Sequence, residues 1–473
     1  MQWYLKMLKK GLDMLKWAVE QNGYSISEKL ELKDLRSVHP SLGIGFVAAQ
    51  DIKEDEELVT FRKENVLCFT NSELSKISEV VDLPGWAALL LTMAYENSKS
   101  DSFWRPYLDV FPNRDRITSP FFWEEEKKKK LLSGTVLESN RDYEEIDHLW
   151  KDSIEPIKEK YPDLLSNVRF DDYARMAAVM LAYSFDTKKT ASKEESAVEE
   201  EGDESKDIPH EASTSKEVKS AKGSSFLEQE GNRKAEQEED RNSEAEDSDV
   251  ESEYDPEEFE KSMCPVADMF NGDDELCNIR LYDLDGRLTM IACRDIKQGE
   301  QVWNTYGEID NSELFRKYGF TKPEGTPYDF VLIKGEDWLS EYVKKIGQEE
   351  VDERLELLLY KEVLSNIEGD FTFSAGDLDF TGICLSFATM EKKEKTTQVP
   401  KKSEIQPKHC RKLLKIIENR LRMYPELEDP KTLDEKNAIV LIEKEKNLLQ
   451  NLYDNVKDSL AKKTPSKRQK TED

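Results

Sequence analysis

Near the middle of this chain lies a stretch that cannot fold on its own. Residues 186–260 hold 27 acidic and 10 basic residues, few aromatics and no hydrophobic periodicity. Such a segment buries too little apolar surface to offset its ordering entropy, so it is expected to be a disordered acidic loop. Strand-like sequence resumes beyond it. Any fold must therefore join the residues before the stretch to those after it. A surface loop permits this, because closure entropy grows only logarithmically with length. The stretch also supplies −17 of the formal net charge of −31; the other 398 residues carry an ordinary −14 and are ample to bury a core.

Several classes are then excluded. The longest nearly unbroken apolar run, Trp86 to Tyr95, falls short of the roughly 20 residues that cross a bilayer. The N-terminal MQWYLKMLKKGLDMLKWAVEQNGY lacks the compact apolar stretch of a secretory signal. Six cysteines, at 68, 264, 277, 293, 384 and 410, form no CxxC or CxC pair, and the four histidines are scattered. That argues against a zinc site, a disulfide scaffold or a His-based triad, and no metal is expected. An acidic chain is repelled by phosphates and suits a basic protein partner. The expectation is a soluble, reduced, intracellular monomer that contacts neither nucleic acid nor membrane.

Periodicity places the elements. Tyr4, Leu5, Leu8, Leu12, Leu15 and Val19 recur at helical spacing, and Asn22-Gly23 stops the helix. LELKDL, GIGFVAAQDI and EELVTF read as strands. Residues 71–97 read as helical, with WAALLLTMAY buried on all sides, and 104–185 as further helices. After the acidic loop, MCPVADMF, NIRLYDLDG, RLTMIACRDI and EQVWNTYG form a β-rich block with a hairpin turn near Asp283–Gly286. Beyond Phe330 the pattern is helical to about Lys462, and a basic tail, KKTPSKRQKTED, follows.

There is no Gly-rich phosphate loop, HExxH or GxSxG. Two separated blocks carry the specific signal. The first is Leu42-Gly43-Ile44-Gly45-Phe46-Val47-Ala48, with Asp51-Ile52 and Glu57-Leu58 behind it. The second runs Asp268-Met269-Phe270-Asn271-Gly272, then Arg294-Asp295-Ile296-Lys297-Gln298-Gly299-Glu300, Asn304-Thr305-Tyr306-Gly307 and Lys317-Tyr318-Gly319-Phe320. In this order and spacing the pattern resembles the SET-domain protein methyltransferases, within the branch of Rubisco large-subunit methyltransferase and the fungal ribosomal lysine methyltransferases. The likeness extends over nearly the whole chain, including TSPFFWEEEKKKKLLSGT and VMLAYSF.

The resemblance implies an α+β fold: a β-rich SET domain with a helical insert, plus a C-terminal all-helical substrate-binding domain. The implied layout is an N-terminal helix (1–30), the first part of the SET domain (31–110), its helical insert (111–185), the acidic loop (186–260), the second part of the SET domain (261–322) and the helical domain with its basic tail (323–473). The implied activity is transfer of a methyl group from S-adenosylmethionine to a lysine of a basic protein, specifically a large-subunit ribosomal protein.

By the same resemblance, Tyr306 is the tyrosine at the methyl-transfer point. Leu42, Gly43, Ile44, Gly45, Asn271, Gly272 and Tyr306 itself contact the cofactor, with glycine permitting close backbone approach. Tyr318 and Tyr183 line the channel for the lysine. Two departures stand out. Gly272 replaces the family's histidine, which removes any side-chain contribution there. The insert reads Leu181-Ala182-Tyr183-Ser184-Phe185 where the Rubisco enzyme supplies arginines. The residues leave open a non-ribosomal nuclear acceptor, a histidine acceptor, and a catalytically silent module that only binds partners. For Asp268 a capping role and a loop-holding role stay equally open. The basic tail implies a nuclear address.

Overall fold

The computed structural model describes residues 2–38, 42–189, 216–217, 259–284, 286–393, 397–427 and 429–463, the side chains at 2–5 and 216–217 excepted. Most of the acidic loop and residues 464–473 of the basic tail lie outside the described residues. The chain divides into two compact units. The first comprises Met1–Ile117 and Arg141–Glu308; the second comprises Thr118–Asn140 and Ile309–Asp473. This division departs from linear order: residues 118–140 of the expected insert, and 309–322 of the expected SET portion, group with the C-terminal helices.

The first unit opens with helix α1 (Gln2–Glu20). Its buried face is Gly11, Met14, Trp17 and Ala18, whereas Leu12 and Val19 of the expected apolar stripe are each 50% exposed. The reason is local. Gly11 has no side chain, so Leu32, Met269 and Ile44 come within 3.3 Å of where its Cβ would stand. Trp17 meanwhile packs on Phe103 and Trp104. Both contacts turn the helix onto a face that periodicity alone ranks second.

Among the described residues, ten short strands follow: β1 (Ser25–Ile26), β2 (Leu30–Asp34), β3 (Ile44–Ala48), β4 (Glu57–Arg62), β5 (Leu67–Cys68), β6 (Ser184–Lys188), β7 (Lys216–Glu217), β8 (Phe259–Met263), β9 (Ile279–Leu284) and β10 (Arg287–Ala292). They form an antiparallel sheet ordered β1-β4-β10-β9-β7, a β2-β3 pair and a sheet ordered β5-β8-β6. The β9–β10 hairpin closes with Leu284 opposite Arg287 and Gly286 at φ +81°, a conformation that favours glycine. The stretch EQVWNTYG forms no continuous strand; it makes isolated bridges, Val47 with Gln301 and Gly272 with Asn304.

Helix α2 (Gly85–Ser98) is buried from Trp86 through Glu96, and it packs on helix α3 (Phe170–Tyr183). The acidic stretch departs through β6, directly after α3, and returns through β8. These strands pair from Ser184 opposite Met263 to Lys188 opposite Phe259. The terminal residues of the expected loop are therefore ordered, and the largely buried Asp186–Lys261 ion pair at 2.9 Å clamps its neck.

The second unit is helical: α4 (Glu336–Ile346), α5 (Gln348–Tyr360), α6 (Thr381–Met390), α7 (Pro407–Met423) and α8 (Leu433–Lys463). It also carries a two-stranded antiparallel sheet absent from the all-helical expectation. Strand β11 (Phe330–Ile333) pairs with β12 (Phe371–Ser374), and alternate residues Val331, Ile333 and Phe373 enter the core beside Trp338 and Phe387. Short runs of this kind are easily lost among longer helical patterns. Leu131, Leu132 and Leu137 of the expected insert pack on Phe315, Ala438 and Leu441. Polar ties hold the same segment. The Val136 amide donates to Glu445 Oε1 at 3.0 Å, and Arg420 Nη2 donates to the Gly134 carbonyl at 2.9 Å.

Candidate functional site

The site begins at a backbone outlier. Val266 adopts φ +71°, an uncommon conformation for a β-branched residue, and the Ala267 amide bonds back to the Pro265 carbonyl at 2.8 Å. A 3₁₀ turn, Ala267–Met269, follows. Phe270 then packs against Phe46 of β3 with ring centroids 4.4 Å apart, which brings Asn271 and Gly272 to the glycine-bearing strand. An aromatic pair of this kind contributes about 0.5–1.5 kcal/mol beyond burial.

Residues 299–304 run alongside both segments. On one side the Gly299 amide bonds to the Ala48 carbonyl, Ala48 to the Glu300 carbonyl and Val302 to the Phe46 carbonyl, at 2.8–2.9 Å. On the other, the Asn304 amide bonds to the Asn271 carbonyl, and the Asp273 amide to the Asn304 carbonyl, both at 2.9 Å. Asn278, fully buried, staples the arrangement. Its Oδ1 accepts from the Trp303 amide at 2.8 Å, and its Nδ2 donates to the Gln301 carbonyl at 3.0 Å. Three stretches far apart in sequence thus interlock through backbone pairing.

Gly45, Asn271, Gly272 and Tyr306 meet there. A Cβ on Gly45 would lie 2.5 Å from Asn271 Nδ2, and a Cβ on Gly272 would lie 2.5–2.6 Å from the Tyr306 ring. Gly43, half-buried, sits at φ +61°, and among the described residues no atom lies within 4 Å of where a Cβ would project. Ile44 and Gly45 pair with Asp34 and Lys33, and the Gly43 carbonyl accepts from Leu35. Leu42, half-buried, immediately precedes them. Asn271 Nδ2 is buried without a hydrogen-bond partner among the described residues. An orphaned buried amide beside the glycine-bearing strand fits a polar ligand at this place, since such a donor is costly unless something accepts from it.

The electrostatics of the crossing follow from burial. The Tyr306 phenol is pushed up by desolvation, with Asp273 adding and a hydrogen bond from the Gly272 backbone opposing. Tyr183 is also pushed up by burial, then by Tyr306 and Asp268, so the three belong to one electrostatic neighbourhood. Its ring packs on Phe111 at 5.3 Å. Burial raises the Asp268 carboxyl to about 8, against the hydrogen bond that Tyr107 donates to Oδ2. Asp268 Oδ1 is buried without a hydrogen-bond partner among the described residues. Tyr318, by contrast, belongs to the second unit. It ends a π-helical turn, Leu314–Tyr318, with its ring 6.4 Å from Phe320.

Sequence reasoning did not single out the supporting residues. Asn278 and Tyr107 lie inside ordinary-looking runs, and nothing local marks them as anchors. Thr305, bonded through Oγ1 to Asp274 Oδ1 at 2.5 Å and receiving the Gly307 amide at 2.8 Å, could have been flagged only by its place before Tyr306. Val266 carries no signal either, because a β-branched residue argues against the conformation it adopts.

Residues 43–307 match the SET domain family model, and the chain belongs to the SET-domain family. Over 98% of its length it is 58% identical to the whole of ribosomal lysine N-methyltransferase 4 from Schizosaccharomyces pombe. The Saccharomyces cerevisiae protein of that name is 29% identical over 66% of this chain and 56% of its own length. Among solved structures, the SET domain of LSMT bound to MeLysine and AdoHcy shares the fold with a TM-score of 0.64 at 16% identity, covering 96% of this chain and 92% of that one.

Proposed function

We propose that this protein transfers the methyl group of S-adenosylmethionine to the side-chain nitrogen of a lysine in a large-subunit ribosomal protein. It is a protein-lysine methyltransferase, as its family and its full-length likeness to a ribosomal lysine N-methyltransferase establish. The observation that carries the proposal is the meeting of Gly45, Asn271, Gly272 and Tyr306 at one crossing of the chain. The net charge of −31 suits a basic acceptor.

S-adenosylmethionine, when bound, supplies a methyl group on a positively charged sulfur. Leu42, Gly43, Ile44 and Gly45 would hold it through backbone groups, and Asn271 and Gly272 from the facing loop. The acceptor nitrogen must shed its proton before its lone pair can take the methyl. A free lysine has a pKa near 10.4, so a desolvating slot is needed to favour the neutral amine. Tyr183 is assigned to that slot. The Tyr306 hydroxyl, kept protonated by burial, orients the amine, and the acceleration comes from positioning and fixed dipoles.

The test is incubation of the full chain with labelled cofactor and isolated ribosomal subunits. One large-subunit protein should acquire label. Label on a non-ribosomal nuclear protein instead would move the substrate. Failure to bind the cofactor at all would favour a silent interaction module. The basic C-terminal residues support a nuclear location, which a fluorescent fusion with and without residues 462–473 would check. Monomeric behaviour is part of the same proposal and is read by light scattering.

A further inference from the structure

Gly272 and Tyr306 approach each other more closely than a side chain at 272 would allow, and neither backbone is free to withdraw. Gly272 is bracketed by the Asn304-to-Asn271 and Asp273-to-Asn304 hydrogen bonds, both 2.9 Å. Tyr306 follows Thr305, whose hydroxyl is bonded to Asp274 at 2.5 Å and caps the Gly307 amide at 2.8 Å. Gly307 itself turns through φ +83°. A Cβ at 272 would lie 2.5 Å from Tyr306 Cδ1 and 2.6 Å from Cε1 and Cγ, far inside ordinary carbon contact of roughly 3.5–4.0 Å. Because Cγ lies on the ring's own axis, flipping the ring about that axis relieves nothing. The ring must swing as a whole, carrying its hydroxyl with it. The contrast with Gly45 is informative: a Cβ there would meet the ends of Asn271 and Leu35, which can move aside singly.

We propose that Gly272 is the positioning residue for Tyr306: the space left by its missing side chain is the seat of the ring, so the residue at 272 sets where the phenol oxygen points. This rests on the reading of Tyr306 as the residue that orients the acceptor amine. The steric half of the claim stands without it. Apart from the backbone contact assigned to it above, Gly272 acts through the tyrosine, by the side chain it lacks.

The experiment is a double-mutant cycle on the full-length protein, Gly272→Ala and Tyr306→Ala singly and together. Gly272→Ala should lower the melting temperature by several degrees in the parent, and leave it unchanged when Tyr306→Ala has vacated the seat. With cofactor and the ribosomal acceptor, Gly272→Ala should reduce kcat by about 10- to 100-fold, the scale of an ångström-sized misplacement, with the acceptor KM unchanged. An equal fall in melting temperature in both backgrounds would overturn the proposal, as would parental kcat in Gly272→Ala. A rise in KM at parental kcat would overturn it too, since that marks a binding residue. If the parent methylates no acceptor, the function assigned to Tyr306 fails, while the melting arm still decides the seat.

Discussion

Two buried carboxyls, one in each unit, have the same perturbed acidity and opposite surroundings. Burial lifts Asp268 and Glu445 alike to about 8. In the helical unit Glu445 spends both oxygens: Val136 donates to one and the Tyr424 hydroxyl to the other, at 3.0 and 2.7 Å. In the interlocked unit Asp268 receives Tyr107 on one oxygen, while its other oxygen and Asn271 Nδ2 are buried without a hydrogen-bond partner among the described residues. A shifted pKa therefore does not by itself mark a site. What separates the two is the accounting of partners. An orphaned atom alone is no mark of a site either, since Arg420 Nε near Glu445 also lacks a hydrogen-bond partner among the described residues; what singles out Asn271 is that its orphan lies against Gly45 at the crossing.

That contrast can be broken from either end. The largest effect belongs to Tyr306→Phe. Removing one oriented hydroxyl should cut methyl transfer by about 10²–10³-fold, with melting temperature and cofactor affinity close to parental. Equal activity of variant and parent would strip Tyr306 of its role.

Next is the pH dependence. A carboxyl whose pKa is higher in the folded state than in the unfolded chain binds its proton more tightly when folded. Its penalty is absent at acidic pH and grows from the ordinary range near 4 until about 8. Stability should therefore decline as pH rises through that window. Glu445→Gln should flatten the decline and melt several degrees above the parent at pH 8.5. A parent profile level from pH 5 to 8.5 would contradict the shared burial of both groups.

A paired measurement sharpens the distinction. Tyr424→Phe leaves Glu445 short of a donor and should cost about 1–3 kcal/mol of stability by denaturant titration, with cofactor affinity untouched. Asn271→Ala should do the reverse: little change in stability without ligand, and a cofactor Kd weakened about tenfold by calorimetry. If both variants lose stability equally, Asn271 is as structural as Tyr424. The smallest effect is on the surface of α1, where Leu12→Ser should shift stability by less than about 0.5 kcal/mol, against about 2–5 for Met14→Ala.

Most of the strands and helices were legible in the chain, because burial imposes periods of two or about 3.6 residues that survive in one dimension. The residues of the crossing, glycine at 45 and 272, asparagine at 271 and tyrosine at 306, were singled out only through the order and spacing of two blocks that resemble a known family, not through any local pattern. The pairing of β11 with β12 was not legible, since four-residue strands 41 positions apart have no local signal. Nor was the face of α1, where Gly11 and Trp17 outweigh the more regular stripe.

By itself, then, the order of amino acids determined which elements form and which residues carry unusual chemistry, because backbone preference and side-chain type are local properties. Only tertiary structure decided that the ring of Tyr306 occupies the space Gly272 leaves, that one Asp268 oxygen lacks a hydrogen-bond partner among the described residues while both Glu445 oxygens have one, and that residues 118–140 pack with the C-terminal helices. Each of these depends on distances between segments far apart along the chain. Such distances are set by packing and by the closing of hydrogen bonds, which no single segment specifies.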